Sequence, residues 1–349
     1  MQETIKNRNR NTNSNSQQNV TQASFALSQL LLLRSRKRWG IMYMLATVSG
    51  LFIPIGGIFV IVGGGHDVAA SILTTLLKTA PLPAATFLII TGMYILNDLV
   101  DADLDRANGK KRPIPSGQVT KANALLFVIM TNAAALILVL ISFNLASIII
   151  VLILIGIGLM YSAPKICLKD RFVLKTASIA VASMLCLMLG SSYAFNSSDI
   201  RQPITNYNQN YGSFNITPIA TFAALMSGSI IFITSLLNDL GDVEGDKAFG
   251  RRTIPVVIGK KNTVILTILI AATMIVISWS IYGALTTNLG LTLPICVSVV
   301  ACIAILNMSK ILKHLDNSEY IRKQHKKSLS LHLMLQSALV IGSLFIWLR

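Results

Sequence analysis

Charge is scarce in this chain: 13% of its 349 residues are Asp, Glu, Lys or Arg, against 53% hydrophobic. Soluble domains carry roughly 25% charged residues, so an ordinary soluble globular protein is excluded. Acids are scarcer still, 14 against 30 Lys and Arg. Cysteine and histidine number four each, and neither type stands at metal-ligand or disulfide spacing. That argues against zinc or iron–sulfur chemistry and leaves Cys167, Cys186, Cys296 and Cys302 as small core residues. Strict apolar–polar alternation is missing as well, which argues against a β-barrel.

Long apolar runs, by contrast, fill most of the chain. Stretches near the 20 residues or so needed to cross a bilayer recur at about 38–62, 83–100, 121–142, 145–163, 172–193, 217–238, 262–284, 289–308 and 329–348. The expected fold is an all-α polytopic membrane protein with nine transmembrane helices. Apart from Lys78, Arg201 and Arg349, every Lys and Arg lies before the first span or in 101–121, 164–175, 247–261 and 309–327, every second connection with the span ends that flank it. This positive-inside alternation predicts a cytoplasmic N-terminus, an external C-terminus and a cell-membrane location, with no role for nucleic acid.

Residues 1–37 form the first expected unit and 38–349 the transmembrane domain. The polar, Asn-rich residues 1–21 are expected to be disordered, and no secretory signal is expected. The segment 24–39 pairs a short apolar run with Arg34, Arg36, Lys37 and Arg38, as an interfacial helix would. The connection 194–216 is polar and falls on the external side; its glycosylation-like triplets carry no weight in so Asn-rich a chain.

The few acids are not scattered. Eight of the 14 fall in two nine-residue segments, "NDLVDADLD" at 97–105 and "NDLGDVEGD" at 238–246. The repeat continues downstream, each copy running on through a Gly and two basic residues to Ile-Pro. Each copy closes the second span of a four-span block, and both blocks face the same way. Two such four-helix repeats plus a final helix predict a site at their interface.

Helical phase groups the acids. At 100° per residue Asn97, Asp98, Asp101 and Asp105 fall within about a third of the circumference, with Asp103 turned away. Asn238, Asp239, Asp242 and Asp246 do the same, with Glu244 turned away. Six carboxylates around one chamber raise one another's pKa unless a cation relieves them. Magnesium suits an oxygen-only set and commonly bridges carboxylates to phosphates. Lys110, Lys111 and Arg112 follow the first motif, Lys247, Arg251 and Arg252 the second, and Lys165, Lys169 and Arg171 the fourth span. Acids for Mg²⁺ beside bases for phosphate oxygens describe a diphosphate site, near the cytoplasmic mouth because about fifteen apolar residues precede each motif. A diphosphate head there, with a hydrocarbon tail among the helices, describes a prenyl diphosphate, whose loss of diphosphate leaves a cation-like carbon for an acceptor.

At these residues the sequence resembles the UbiA-type intramembrane prenyltransferase superfamily. The matches are Asn97-Asp98-x-x-Asp101-x-x-x-Asp105, the Asp239, Asp242, Asp246 set, "RPIPSG" at 112–117 and "YSAPKICLK" at 161–169. The resemblance implies nine helices around a central cavity, with Mg²⁺ on the two acidic motifs, Asp101 and Asp242 catalytic, and prenyl diphosphate beside Lys110, Arg112, Lys165, Lys247 and Arg251. It also implies that Tyr161 and Lys165 face the cavity, with Tyr161 catalytic. Within the family, "RPIPSG" and "DVEGDKAFGRRTIPVVIGKK" look most like the archaeal digeranylgeranylglyceryl phosphate synthases. That branch implies a geranylgeranyl donor and a geranylgeranylglyceryl phosphate acceptor in ether-lipid synthesis.

Two other readings stay open at this point. One is prenyl transfer to an aromatic quinone precursor or a tetrapyrrole. The other is a transporter of divalent cations or phosphorylated metabolites, against which stand the clustering of acids at one membrane face and the lack of midspan charges.

Overall fold

The computed structural model describes the backbone of residues 2–61, 77–107, 111–196, 216–284 and 291–345. Lys110, His66, most of the connection 194–216 and the last four residues lie outside this description. Every regular element among the described residues is helical. In chain order they are α1 (Gln2–Ile61), α2 (Pro81–Val100), α3 (Ala102–Ala107), α4 (Lys121–Leu140) and α5 (Leu145–Ser162), then α6 (Phe172–Asn196), α7 (Ile216–Gly241) and α8 (Val243–Ala248), and lastly α9 (Ile254–Ile258), α10 (Lys260–Ala284), α11 (Thr292–Leu312) and α12 (Ser318–Phe345). A 3₁₀ turn at Leu168–Asp170 leads into α6.

Seven of these helical stretches are long and apolar enough to cross a membrane, starting at Leu77, Lys121, Leu145, Phe172, Ile219, Lys260 and Thr292. They coincide with seven of the nine expected spans. The other two, 38–62 and 329–348, fall within α1 and α12 and run past the described residues. The backbone of residues 2–21, expected to be disordered, is helical and continuous with the rest of α1. Extending an existing helix fixes one residue per added hydrogen bond, whereas starting one fixes three, so a helix begun in the apolar segment propagates into the polar tail.

Local chemistry sets the boundaries. Pro81 opens α2 at a position where its missing N–H is no loss. Thr120 caps α4 by accepting from Asn123 N, and Asn144 caps α5 by accepting from Ser147 N. α5 ends at Ser162, two residues before Pro164, because the residue before a proline is pushed out of helical geometry.

The bundle closes around α7. In its span 72% of residues are buried, against 28–50% in the other six. α1, α6, α10 and α12 pack on α7, while α1 also packs on α2, α6 and α12. α4, α5, α10 and α11 turn rows of exposed Leu, Ile and Val outward, among them Ile129, Ile137, Leu152, Leu269 and Val299, the surface that lipid covers. Small and hydroxyl residues bring the helices together. Thr47 and Thr86 share a hydrogen bond of 2.8 Å between α1 and α2, Ser147 and Ser192 one of 2.8 Å between α5 and α6, and Ser183 and Ser227 one of 2.9 Å between α6 and α7. Where α1 crosses α6, a Cβ on Gly50 would stand 2.0 Å from Leu187 O, and one on Gly190 2.0 Å from Thr47 O.

Candidate active site

Both acidic motifs break their helix at the same place in the pattern. α2 stops at Val100, and Asp101 takes φ −86° and ψ 5° before α3 begins. α7 stops at Gly241, and Asp242 takes φ −113° and ψ 12° before α8. Hydrogen bonding continues across both breaks, from Asp105 N to Asp101 O at 2.8 Å and from Asp246 N to Asp242 O at 2.9 Å. The four-residue spacing therefore keeps its phase, and each carboxylate row stays on one side.

The two breaks face a common cavity of about 240 Å³. Asn97 and Asp101 line one wall; Asn238, Asp239, Asp242 and Asp246 line the other. Asp103 and Glu244 turn outward as helical phase requires, to Lys121 at 2.8 Å and Lys260 at 3.5 Å.

Basic side chains answer the acids almost one for one. Arg36 of α1 grips buried Asp98 with two donors, Nε to Oδ2 at 2.7 Å and Nη2 to Oδ1. Arg112 Nη1 bridges Asp98 at 2.8 Å and buried Asp105 at 2.6 Å. Lys169 Nζ donates to Asp101 at 2.8 Å and to Asn97 Oδ1 at 3.2 Å. Arg251 Nη2 reaches Asp101 at 3.3 Å and its Nε lies 3.2 Å from Asp170. Burial opposes the Arg251 charge, but Asp101, Asp170 and Asp246 outweigh it and hold the guanidinium pKa above its usual value. Lys175 donates to Asp239 at 2.7 Å, Arg322 to Asp242 at 3.0 Å, and Thr253 Oγ1 to Asp246 at 3.2 Å. Asp239 Oδ2 is buried with no hydrogen-bond partner among the described residues.

An apolar throat continues from this chamber. A second cavity of about 90 Å³ shares Tyr43, Tyr94, Asn97, Tyr161 and Ile179 with the first and runs on between Ile90, Met93, Ile157 and Ala182. Trp39 stacks on Tyr94 with centroids 5.1 Å apart, and the Arg36 guanidinium lies 5.7 Å from the Tyr94 centroid. The Tyr43 hydroxyl donates to Ile179 O at 3.3 Å. A polar mouth that opens into an aromatic and aliphatic throat accepts a molecule with an anionic head and a hydrocarbon tail.

The carboxylates and asparagines of the mouth offer oxygen ligands, which suit a hard divalent cation, with His325 the one imidazole on its wall, and the orphaned Asp239 Oδ2 offers such a cation a free ligand. No three acids, histidines or cysteines converge on one point among the described residues; Asp98, Asp101, Asp105, Asp239 and Asp242 are turned toward bases and Asp246 toward Thr253.

The model of the UbiA prenyltransferase family matches residues 51–333. The chain belongs to that family. It is 27% identical over 233 residues to a digeranylgeranylglyceryl phosphate synthase of Methanospirillum hungatei, covering 61% of this chain and 71% of that protein. It is 24% identical over 250 residues to the synthase of the same description from Methanothrix thermoacetophila, covering 71% and 82%. Among solved structures, one described as digeranylgeranylglyceryl phosphate synthase in membranes superposes with a TM-score of 0.61 at 19% identity, covering 92% of this chain and 99% of that one. A UbiA homolog from Archaeoglobus fulgidus bound to GPP and Mg²⁺ superposes with a TM-score of 0.54 at 18% identity, covering 89% and 99%. The fold is thus that of the UbiA prenyltransferases.

Of the residues expected to serve a UbiA site, Asn97, Asp101, Asp239, Asp242, Asp246, Arg112, Arg251 and Tyr161 line the chamber, with Asp98 and Asp105 buried behind Arg112. Two expectations are corrected. Lys165 is exposed and lines neither cavity. It was placed one helical turn beyond Tyr161, but α5 ends at Ser162, and the lysine that enters is Lys169 on the 3₁₀ turn, 4% exposed. Lys247 is exposed too, because Asp246 takes the inward phase of α8 and the next residue lies 100° around. Arg36, Lys175, Tyr43 and Tyr94 were not singled out from sequence. A lone charge inside an apolar span is the signal that finds Lys175; Arg36 is hidden among the basic residues that set topology.

Proposed function

We propose that this protein transfers a geranylgeranyl group from its diphosphate to the free hydroxyl of geranylgeranylglyceryl phosphate, in the synthesis of an ether-linked membrane lipid. The observation that carries this reading is the chamber itself: acids from two repeated motifs, interleaved with bases, opening into an apolar throat. The synthases of Methanospirillum and Methanothrix support the choice of acceptor.

In this reading the protein has nine transmembrane helices, arranged as two four-helix repeats plus a final helix, with 38–349 as the catalytic domain and 1–37 as its N-terminal extension. The chamber faces the cytoplasm, as does the N-terminus, and the C-terminus is external. Asn97, Asp98, Asp101 and Asp105, with Asp239, Asp242 and Asp246, are the Mg²⁺ ligands. Bound there, Mg²⁺ neutralises the charge that develops on the departing diphosphate. Arg112, Lys169, Lys175 and Arg251, which hold the carboxylates in this structure, turn to the diphosphate oxygens as the acids turn to the metal, so every charge keeps a partner. Asp101 and Asp242, at the two helix breaks, stand nearest to that exchange. Tyr161 and Tyr43 line the junction of chamber and throat, where the allylic C1–O bond would break and an aromatic ring would steady the carbon as it turns cationic. The acceptor oxygen then bonds to C1 and its proton is released. The dry throat shields the cation from water.

A transfer assay tests this reading on purified protein with Mg²⁺ and radiolabelled geranylgeranyl diphosphate. Geranylgeranylglyceryl phosphate is offered beside an aromatic quinone-precursor acid, with an EDTA control. Metal-dependent label in the glyceryl lipid is expected. Label in the aromatic product overturns the acceptor, and transfer that survives EDTA overturns the metal.

A further inference from the structure

The wall made by α1 and α12 has a second concave face, turned away from the chamber. Arg36 and Trp39 of α1 point into the chamber, whereas Lys37, Arg38 and Ile41 line a groove of about 860 Å³ bounded by α1, α11 and α12. The groove shares no lining residue with either cavity of the active site.

Its chemistry is split by depth. One end gathers Lys37, Arg38, Lys310, Lys326 and Lys327 from three helices, and no acid lines it. In the chamber the buried carboxylates Asp98, Asp105 and Asp239 each hold a base. Here, among the described residues, none of the five cations forms an ion pair. One to two helical turns along each helix the lining becomes Ile41 and Leu45, Ile303, and Leu333 and Met334. The groove is also braced. Arg38 Nη2 donates to Lys326 O at 3.5 Å at its charged end, and beneath it buried His332 Nε2 meets Met42 O at 3.1 Å. A solvated basic flank would satisfy the topology rule without a concave shape or an apolar continuation.

We propose that this groove is a binding site for an anionic membrane lipid, its phosphate held by the lysine–arginine end and its chains lying along the apolar end. A free phosphate would use only the charged half, and a zwitterionic lipid would bring its own cation into a site that already has five. Lysines at a membrane surface each contribute about 1 kcal/mol to anionic-lipid attraction, so removing three is expected to weaken binding about a hundredfold.

The test uses the full-length chain in detergent micelles and reads its melting temperature, since a ligand of the folded state raises it by mass action. Dioleoyl phosphatidylglycerol, dioleoyl phosphatidylcholine and soluble glycerol phosphate are titrated in parallel. A saturating upward shift is expected with phosphatidylglycerol alone. The triple variant Lys37→Gln, Lys326→Gln, Lys327→Gln is expected to lose that shift while keeping the one produced by Mg²⁺ and prenyl diphosphate, which reports an intact chamber. Ile41→Trp fills the apolar half and leaves all five cations; it is expected to blunt the same shift. An equal response to phosphatidylcholine shows non-selective lipid packing, and an equal response to glycerol phosphate shows a simple anion site; either overturns the proposal. So does a phosphatidylglycerol shift that survives in Ile41→Trp, whether or not the triple variant folds.

Discussion

Breaking one side of a buried ion pair costs far more than the pair contributes, because the partner charge is left stranded. Asp98 is 1% exposed and is held by Arg36 and Arg112. Arg36→Met leaves Asp98 with Arg112 as its one remaining base and should destabilise the protein by about 1.5–3 kcal/mol, read as a lower melting temperature in detergent. Arg36→Met combined with Asp98→Asn should recover part of the loss, and a double variant no better than the single would remove the weakened pairing of Asp98 as the cause. Lys169 and Lys165 make a second contrast. Lys169→Met removes a charged donor from the chamber and should weaken prenyl diphosphate binding at least tenfold, since such a bond is worth about 1.5–3 kcal/mol. Lys165→Met should leave it unchanged. Asp101→Ala and Asp242→Ala should each lower turnover by about two orders of magnitude while the protein stays folded. Most of these residues were legible in the sequence because four-residue spacing on a helix is a statement about direction. Lys165 was misplaced because the same spacing was carried across Pro164, where the helix had already ended.

At the scale of elements, α1 and α6 owe their closeness to Gly50 and Gly190. A methyl group at either would meet backbone oxygen of the facing helix, and backbone cannot swing aside as a long side chain can. Gly190→Ala should cost about 1–3 kcal/mol or more and shift the elution of folded protein toward aggregate, whereas Gly156→Ala, with open space around its Cβ, should behave as the natural protein. α12 brings His325 to the chamber wall, where burial lowers its pKa from the ordinary 6.5. The folded chain then binds fewer protons than the unfolded one as pH falls through that range, so this contribution to stability is present above pH 6.5 and declines below it. The melting temperature should drop between pH 7.5 and 5, and less steeply in His325→Gln. Sequence showed where the helices lie, since twenty apolar residues leave few alternatives in a bilayer. It did not show which helix sits at the centre. α7 and α5 read alike as apolar runs, and only the packing distinguishes a helix 72% buried from one 28% buried.

For the whole molecule the remaining question is which way the bundle stands in the membrane. Arg112, Lys169 and Arg251, from the basic connections that follow the spans of α2, α5 and α7, line the chamber, and lysine and arginine concentrate on the cytoplasmic side of helical membrane proteins. Two exposed positions test this without touching the site. Ser116 lies in the connection after α3, and Phe143, 94% exposed, lies in the turn between α4 and α5 at the opposite end. With the four native cysteines replaced by serine or alanine, Phe143→Cys should react with a membrane-impermeant maleimide added to intact cells. Ser116→Cys should react only after the membrane is opened. The reverse pattern would place the diphosphate chamber at the outer surface, away from any cytoplasmic supply of prenyl diphosphate. The positive-inside reading of this chain would then fail together with the proposed donor, even though every carboxylate and lysine stood where it now stands.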